Sequence, residues 1–393
     1  MRPIYCFKRM NSLHAALGSL TVLVGVSMSD TTYASFHAID GLDPTISESL
    51  FTARMMPANE IATMDMDEAV NGSAMSSDSN MGNMMRPAMI PPPGISGASI
   101  PPEGKLMLSF SSTYMKMQGN RSGTSSVSQD QVLNDFMVAP LRMDVGMVMG
   151  MAMYGITDEW AVTGGASYIR KSMDHVNRGG TKFTTRSEGI GDPKIGTAYK
   201  LYQSSSNSLL AGLALNIPLG SIEEKDNTPA DLTANNPLPY PMQLGSGTWD
   251  FTPSMSYMGT IQDYTWGMQA VATLRPGRNN NGYRLGNTSE ISFWGSRDLA
   301  DWVAVFGRVQ GKVVGNIDGR DSQISTTMAP TGDPNRRGQR VVNLSVGLNS
   351  SISSGPLGGG KVAIEATVPV YQNLDGPQLE TDFAVTAKVS LVF

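Results

Sequence analysis

From Lys105 to Phe393 the chain alternates apolar and polar positions in short runs broken by turn residues. A period of two puts successive side chains on opposite faces, the pattern of a half-buried strand. The last eleven residues are the clearest case. Phe383, Val385, Ala387, Val389, Leu391 and Phe393 share one face, and Ala384, Thr386, Lys388, Ser390 and Val392 share the other. Reading every run this way predicts about twelve strands. They lie near 105–117, 141–154, 160–173, 189–201, 208–220, 246–259, 264–275, 283–295, 301–315, 340–352, 361–372 and 378–393.

The connections alternate in length. Those at 155–159, 203–207, 260–263, 296–300 and 353–360 are short, and those at 118–140, 174–188, 221–245, 276–282 and 316–339 are long. Short turns on one side and long loops on the other are what a membrane-spanning β-barrel shows, and a soluble sandwich has no reason for the asymmetry. The expected fold is all-β: one antiparallel transmembrane β-barrel of about twelve strands over 105–393. The terminal strand resembles the closing strand of a Gram-negative outer-membrane barrel. There a final aromatic such as Phe393 implies recognition by the barrel-assembly machinery, and outer-membrane lipid is the implied surrounding.

Charge assigns the faces, because a charge on lipid costs about 2–4 kcal/mol at the bilayer midplane. In the second strand Met143, Val145, Met147, Met149, Met151 and Met153 share a face opposite Arg142 and Asp144. The methionines are therefore expected outward and Arg142 and Asp144 inward. The same rule makes Arg308, Lys312, Glu365 and Lys388 pore-lining, and strand parity adds Asp192, Lys194, Asp250, Gln269, Arg284 and Glu290. Trp160, Trp249, Trp266, Trp294 and Trp302 fall near strand ends, where an aromatic girdle is expected.

Composition fits. The mean hydropathy is −0.15, and outside the N-terminus no apolar run reaches the roughly 18 residues of a membrane helix. A barrel looks this polar because only alternate residues face lipid. A net charge of −5 argues against a nucleic-acid partner. At the N-terminus, Arg2, Lys8 and Arg9 precede an apolar stretch and Thr32-Tyr33-Ala34, so 1–34 reads as a signal peptide. The one cysteine, Cys6, lies within it, which leaves no thiol for disulfide, metal or nucleophile in the mature chain.

Residues 35–104 break the alternation and read as a mostly disordered Met/Pro-rich periplasmic arm or plug. Nine methionines fall between Met55 and Met89, followed by Ile90-Pro-Pro-Pro-Gly and Ile100-Pro-Pro-Glu-Gly104. Proline runs form neither ladder nor helix and make a stiff connector. Met55, Met56, Met64, Met66, Met81, Met84 and Met85 are spaced so that two or three thioethers can meet one soft ion, which suits Cu(I). Set against this, methionine is also a flexible apolar filler.

Four separated stretches resemble a known family: Met137-Val-Ala-Pro-Leu-Arg-Met-Asp144, Gly189-Ile-Gly-Asp-Pro-Lys-Ile-Gly196, Leu238-Pro-Tyr-Pro-Met-Gln-Leu-Gly-Ser-Gly-Thr-Trp-Asp250, and Tyr283 with Arg284-Leu-Gly286. They are similar to the outer-membrane barrel family labelled "MetA-pathway of phenol degradation". The resemblance implies a channel or transporter for small molecules, with aromatic or other hydrophobic compounds as the suggested solutes. Unlike those relatives, this chain has no His between Met55 and Met89 and has Val148 among the methionines of the second strand.

No enzymatic constellation is expected. Apart from His14 in the leader, the histidines are His37 in the arm and His175 in an expected outer loop, and no Ser is placed to pair with His175 as hydrolase chemistry requires. The long loop 226–241 is positioned to fold inward and narrow the pore. The expected function is a porin-like passage for a small-molecule solute. The alternatives are a copper-linked envelope protein whose arm binds Cu(I), and a non-conducting structural or lipase-like barrel.

Overall fold

The computed structural model describes residues 86–229, 231–352 and 359–393, without the side chains of 231–235. The expected signal peptide, the part of the expected arm before residue 86 and the seven candidate metal-binding methionines lie outside the described residues.

The chain forms β1 (Leu106–Gly123), a short β2 (Ser125–Val127), helix α1 (Gln129–Asp135), β3 (Val138–Gly155) and β4 (Trp160–Asn177). Next come β5 (Lys182–Ile190), β6 (Lys194–Gln203), β7 (Asn207–Asn216) and a small hairpin of β8 (Lys225–Thr228) and β9 (Asp231–Pro237). The rest is β10 (Asp250–Ile261), β11 (Tyr264–Thr273), β12 (Tyr283–Arg284), β13 (Thr288–Ala300), β14 (Val303–Val314), β15 (Asp318–Gly319), β16 (Gln339–Ser351) and β17 (Lys361–Val392). Eleven of these strands close an antiparallel barrel in the order β1, β3, β4, β6, β7, β10, β11, β13, β14, β16, β17, with β2 and β5 outside the circuit. The β1–β17 seam completes it, from Met107 opposite Val392 to Gly123 opposite Leu374.

The count differs from the expected twelve because the last two predicted strands are one unbroken extended element, β17. Its first part pairs with β16 and its second with β1, both antiparallel. An antiparallel circuit needs an even number of passes, so β17 must reverse within itself. Gly376, at φ +91°, lies between the two paired parts. Only residues 375–377 carry no ladder pair at this reversal.

Two expected loops are partly ordered. The stretch 174–188 belongs to a β4–β5 hairpin that turns at Gly179-Gly180. Loop 118–140 contains α1, started by a capping box in which Ser128 and Gln131 satisfy each other's backbone N–H.

The outer surface carries the apolar residues of alternate positions: Phe110, Val148, Val162, Ile195, Met255, Ile291, Val309 and Ile364 are all exposed. Trp160, Trp249, Trp266 and Trp302 are exposed too, whereas Trp294 points inward and is buried. The faces of β3 are opposite to expectation. Met143 and Met153 are buried in interior clusters, and Arg142 and Asp144 lie on the outside. There the two charges pair at 2.8 Å, and the Tyr114 hydroxyl donates to Asp144 at 2.5 Å. A mutually neutralised pair close to the outer end of a long strand costs far less than a lone charge at mid-membrane. Inside, buried apolar side chains form several small clusters strung along the wall in place of one core.

This face assignment predicts that Val148→Arg, on the lipid side, destabilises the folded barrel by about 2–4 kcal/mol, while Met147→Arg, facing the lumen, leaves it near wild type. Urea unfolding in lipid vesicles measures both.

Candidate functional site, a lumen with two inserts

The first insert is the proline-rich stretch before β1. Asn349, fully buried on β16, donates to the Ile90 carbonyl at 2.6 Å. Glu365 on β17 accepts from the Gly94 N–H at 2.9 Å, and Gln269 on β11 donates to the Ser96 carbonyl at 2.7 Å. Ile95 and Ala98 pack on Trp294, and Ile100 packs with Met153, Ala161, Ala198 and Leu210. These partners come from strands all round the circuit, so residues 90–100 run inside the barrel. Apart from the turn in which the Ile95 N–H donates to the Pro92 carbonyl at 2.9 Å, the stretch is bonded to wall side chains. At Gly94 an added Cβ would lie 2.5 Å from the Arg308 guanidinium, so the close approach requires glycine. The entry is held at the short-turn end, where Arg86 bonds Asp298 at 2.7 Å.

The second insert comes from the long-loop end, and the four family-like motifs meet there. Between β5 and β6, Asp192 accepts from the N–H groups of Gly220 at 2.9 Å and Ser246 at 2.8 Å, and from the Ser246 hydroxyl at 3.0 Å. Leu238 and Met242 are buried against Met143 and Met173 on the inner wall. Lys171 on β4 donates to the Pro241 carbonyl at 2.8 Å, and the Ser187 hydroxyl to that of Met242 at 2.6 Å. The Tyr240 and Tyr283 rings meet edge to face at 4.9 Å, and Asn279 donates to the Ser246 carbonyl at 3.0 Å. Below the motif, Asp250 is buried and paired with Arg275 at 3.0 Å.

Between the inserts the wall is polar and charged. Glu290 pairs with Lys312 at 2.8 Å and accepts from Gln310 at 3.0 Å. Arg308 and Glu365 form a buried pair at 2.7 Å. Lys194 shares the inward face of β6 with buried Ala198 and is itself solvent-exposed. Of the expected pore-lining residues, Lys194, Asp250, Gln269, Glu290, Arg308, Lys312, Glu365 and Lys388 lie on the inner wall, and Asp192 anchors the outer insert. Arg142 and Asp144 face outward. Arg284 sits in the small β12–β15 sheet, paired with Asp318 at 2.9 Å, because the predicted strand 283–295 starts only at Thr288.

Sequence reasoning missed Asn349, Lys171 and Lys361. Lys361 was within reach, since parity with Glu365 places it inward. The methionine stripe is the larger omission: Met107, Met115 and Met117 on β1 stand opposite Met153, Val145 and Met143 on β3, so both strands present methionines to the lumen. His175 is buried in β4, not in a loop. It stacks on Phe183 at 4.9 Å and lies 3.0 Å from the Thr185 hydroxyl. Its neighbour Asp174 accepts from Thr184 at 2.7 Å, so it does not orient the imidazole for hydrolysis.

Two outcomes follow from this geometry. Removing one partner of a buried ion pair strands the other, at a cost of about 3–5 kcal/mol. Arg308→Ala should therefore lower the urea midpoint and expose residues 90–100 to protease. At the outer end, burial raises the Tyr283 hydroxyl above its ordinary pKa of 10.0. The stability tied to its neutral form is complete below pH 10 and falls as the pH climbs towards the folded value. Tyr283→Phe should flatten the loss of stability above pH 10, seen in urea midpoints between pH 9 and 11.

Comparison with solved structures agrees with this architecture. The COG4313 outer membrane channel from Pseudomonas putida F1 superposes with a TM-score of 0.51 at 12% identity, covering 76% of this chain and 99% of that one. The CymD monoaromatic hydrocarbon channel (TM-score 0.37, 9% identity, covering 80% and 92%) and the NanC porin (TM-score 0.37, 9% identity, covering 72% and 98%) resemble it more loosely. No family model and no curated protein sequence matches the chain. At these identities the likeness shows the fold: a closed antiparallel barrel of the kind found in an outer-membrane channel.

Proposed function

We propose that this protein is a narrow outer-membrane channel for small molecules. One observation carries the reading: inside a closed barrel, a charged wall, with Lys194 exposed and the Glu290–Lys312 pair half-buried, lies between two inserted segments. Buried charges without water are strongly disfavoured, so this wall supports a wetted path and not a packed core. The inserts set the width of that path. The proline-rich stretch narrows it at the short-turn end, and the loop carrying Leu238 and Met242 narrows it at the other. Lumenal methionines beside charged groups suit a solute with both apolar and polar parts, which agrees with the aromatic or hydrophobic compounds that the family resemblance suggests. Lipid contact through the exposed apolar belt and assembly through the terminal Phe393 belong to the same reading.

Single-channel recording of the refolded mature protein tests it. Wild type is expected to conduct in small steps, and deletion of 35–99 to enlarge them severalfold. A silent bilayer with a folded barrel in both forms would overturn the proposal.

A second reading, soft-metal handling, is favoured by the methionines that β1 and β3 turn into the lumen. Thioethers prefer Cu(I). If the methionines of the arm capture the ion, deleting 55–89 abolishes tight Cu(I) binding in a competition titration; unchanged affinity would count against it.

A further inference from the structure

The proline-rich insert and the inner wall enclose a cavity of about 50 Å³ lined by Ile95, Ala98, Met107, Met151, Lys361 and Lys388, among others. A single water needs roughly 10–15 Å³ on this measure, so there is room for a ligand of a few heavy atoms. The wall is chemically mixed. Ile95, Ala98, Met107 and Met151 are apolar, and the ammonium groups of Lys361 and Lys388 and the hydroxyls of Ser109 and Ser390 are polar.

Neither lysine has a hydrogen-bond or ion-pair partner among the described residues. The carboxylate on the same face of β17, Glu365, is already engaged by Arg308 at 2.7 Å and by the Gly94 N–H at 2.9 Å. Ser109 and Ser390 lie 2.8 Å apart and bond to each other. Only one proton is used between them, so the second hydroxyl is free to donate. Two ammonium groups and a spare hydroxyl are all donors. Two like charges facing one cavity repel, and an anion between them relieves both.

We propose that this cavity is a binding subsite for short monocarboxylates, in the range of acetate to butyrate, with the carboxylate between Lys361 and Lys388 and the alkyl end against the methionines. The apolar side chains of the lining suit a ligand with an alkyl end better than phosphate or sulfate, whose oxygens all call for donors. The subsite rests on the channel reading only in lying on the proposed path, beneath the proline-rich insert.

The test uses the full mature chain in detergent, with calorimetric titration of propionate and of its neutral isostere propionamide. Wild type should bind propionate saturably and propionamide not at all. The double variant Lys361→Gln/Lys388→Gln should bind propionate at least tenfold more weakly, and Lys182→Gln, on the outer hairpin, should match wild type. Heat-modifiable migration on gels verifies that each variant folds. Equal binding of propionate and propionamide, or no loss in the double variant, overturns the subsite. Inorganic phosphate binding as tightly as propionate also overturns it. Bilayer recordings separate the two proposals: conductance without propionate binding leaves the channel and removes the subsite, and binding without conductance does the reverse.

Discussion

Everything in this protein depends on one closed hydrogen-bond ladder. Hydrocarbon offers no partner to a backbone N–H or C=O, so a strand can span a membrane only if both of its edges are paired. The β1–β17 seam meets that requirement, with Leu106 and Phe393 exchanging backbone bonds at its end. On the seam's inner side Ser109 bonds Ser390 and Thr113 bonds Thr386, so side chains extend the pairing inward. The tight reversal inside β17 has the same origin, because a turn that leaves only residues 375–377 unpaired leaves almost no edge exposed.

Closing the ladder creates a tube, and a tube of this size poses a second physical problem. Its inner wall is polar enough to hold water and carries charges that need partners. The chain answers with segments drawn in from both ends, each held by buried polar groups. Asn349, Gln269 and Glu365 fix the proline-rich stretch through its backbone, and Asp192, Lys171 and Ser187 fix the outer loop. Side chains that look like pore lining in sequence are therefore divided between supporting the inserts and facing the remaining space. Arg308 and Glu365 belong to the first group, and Lys194, Glu290, Lys312 and Lys388 to the second.

Much of this was legible in the chain, and the exceptions have physical reasons. Alternation located the barrel strands, and the asymmetry of connection length located its two ends. Charge placed Arg308, Lys312, Glu365 and Lys388 on the inner wall. The same rule failed at Arg142 and Asp144 because it treats each charge as isolated at mid-membrane, whereas these two are paired with each other and with Tyr114 near the outer end. Strand parity failed at Arg284 because a two-residue strand in a loop has the same local texture as the start of a barrel strand. Methionine was ambiguous from the outset: its side chain suits lipid and an apolar lumenal cluster equally well.

The sequence by itself determined the strand pattern, the two kinds of connection and the presence of a stiff segment that cannot join the sheet. Those are local properties, written in a period of two and in the backbone restrictions of proline and glycine. Only the tertiary structure decided where that segment goes, which face of β3 turns inward, that four distant motifs meet around the loop 238–250, and that Lys361 and Lys388 share a cavity whose lining carries no carboxylate. These depend on which strands become neighbours across a closed circuit, and nothing in a one-dimensional pattern records a distance across the lumen.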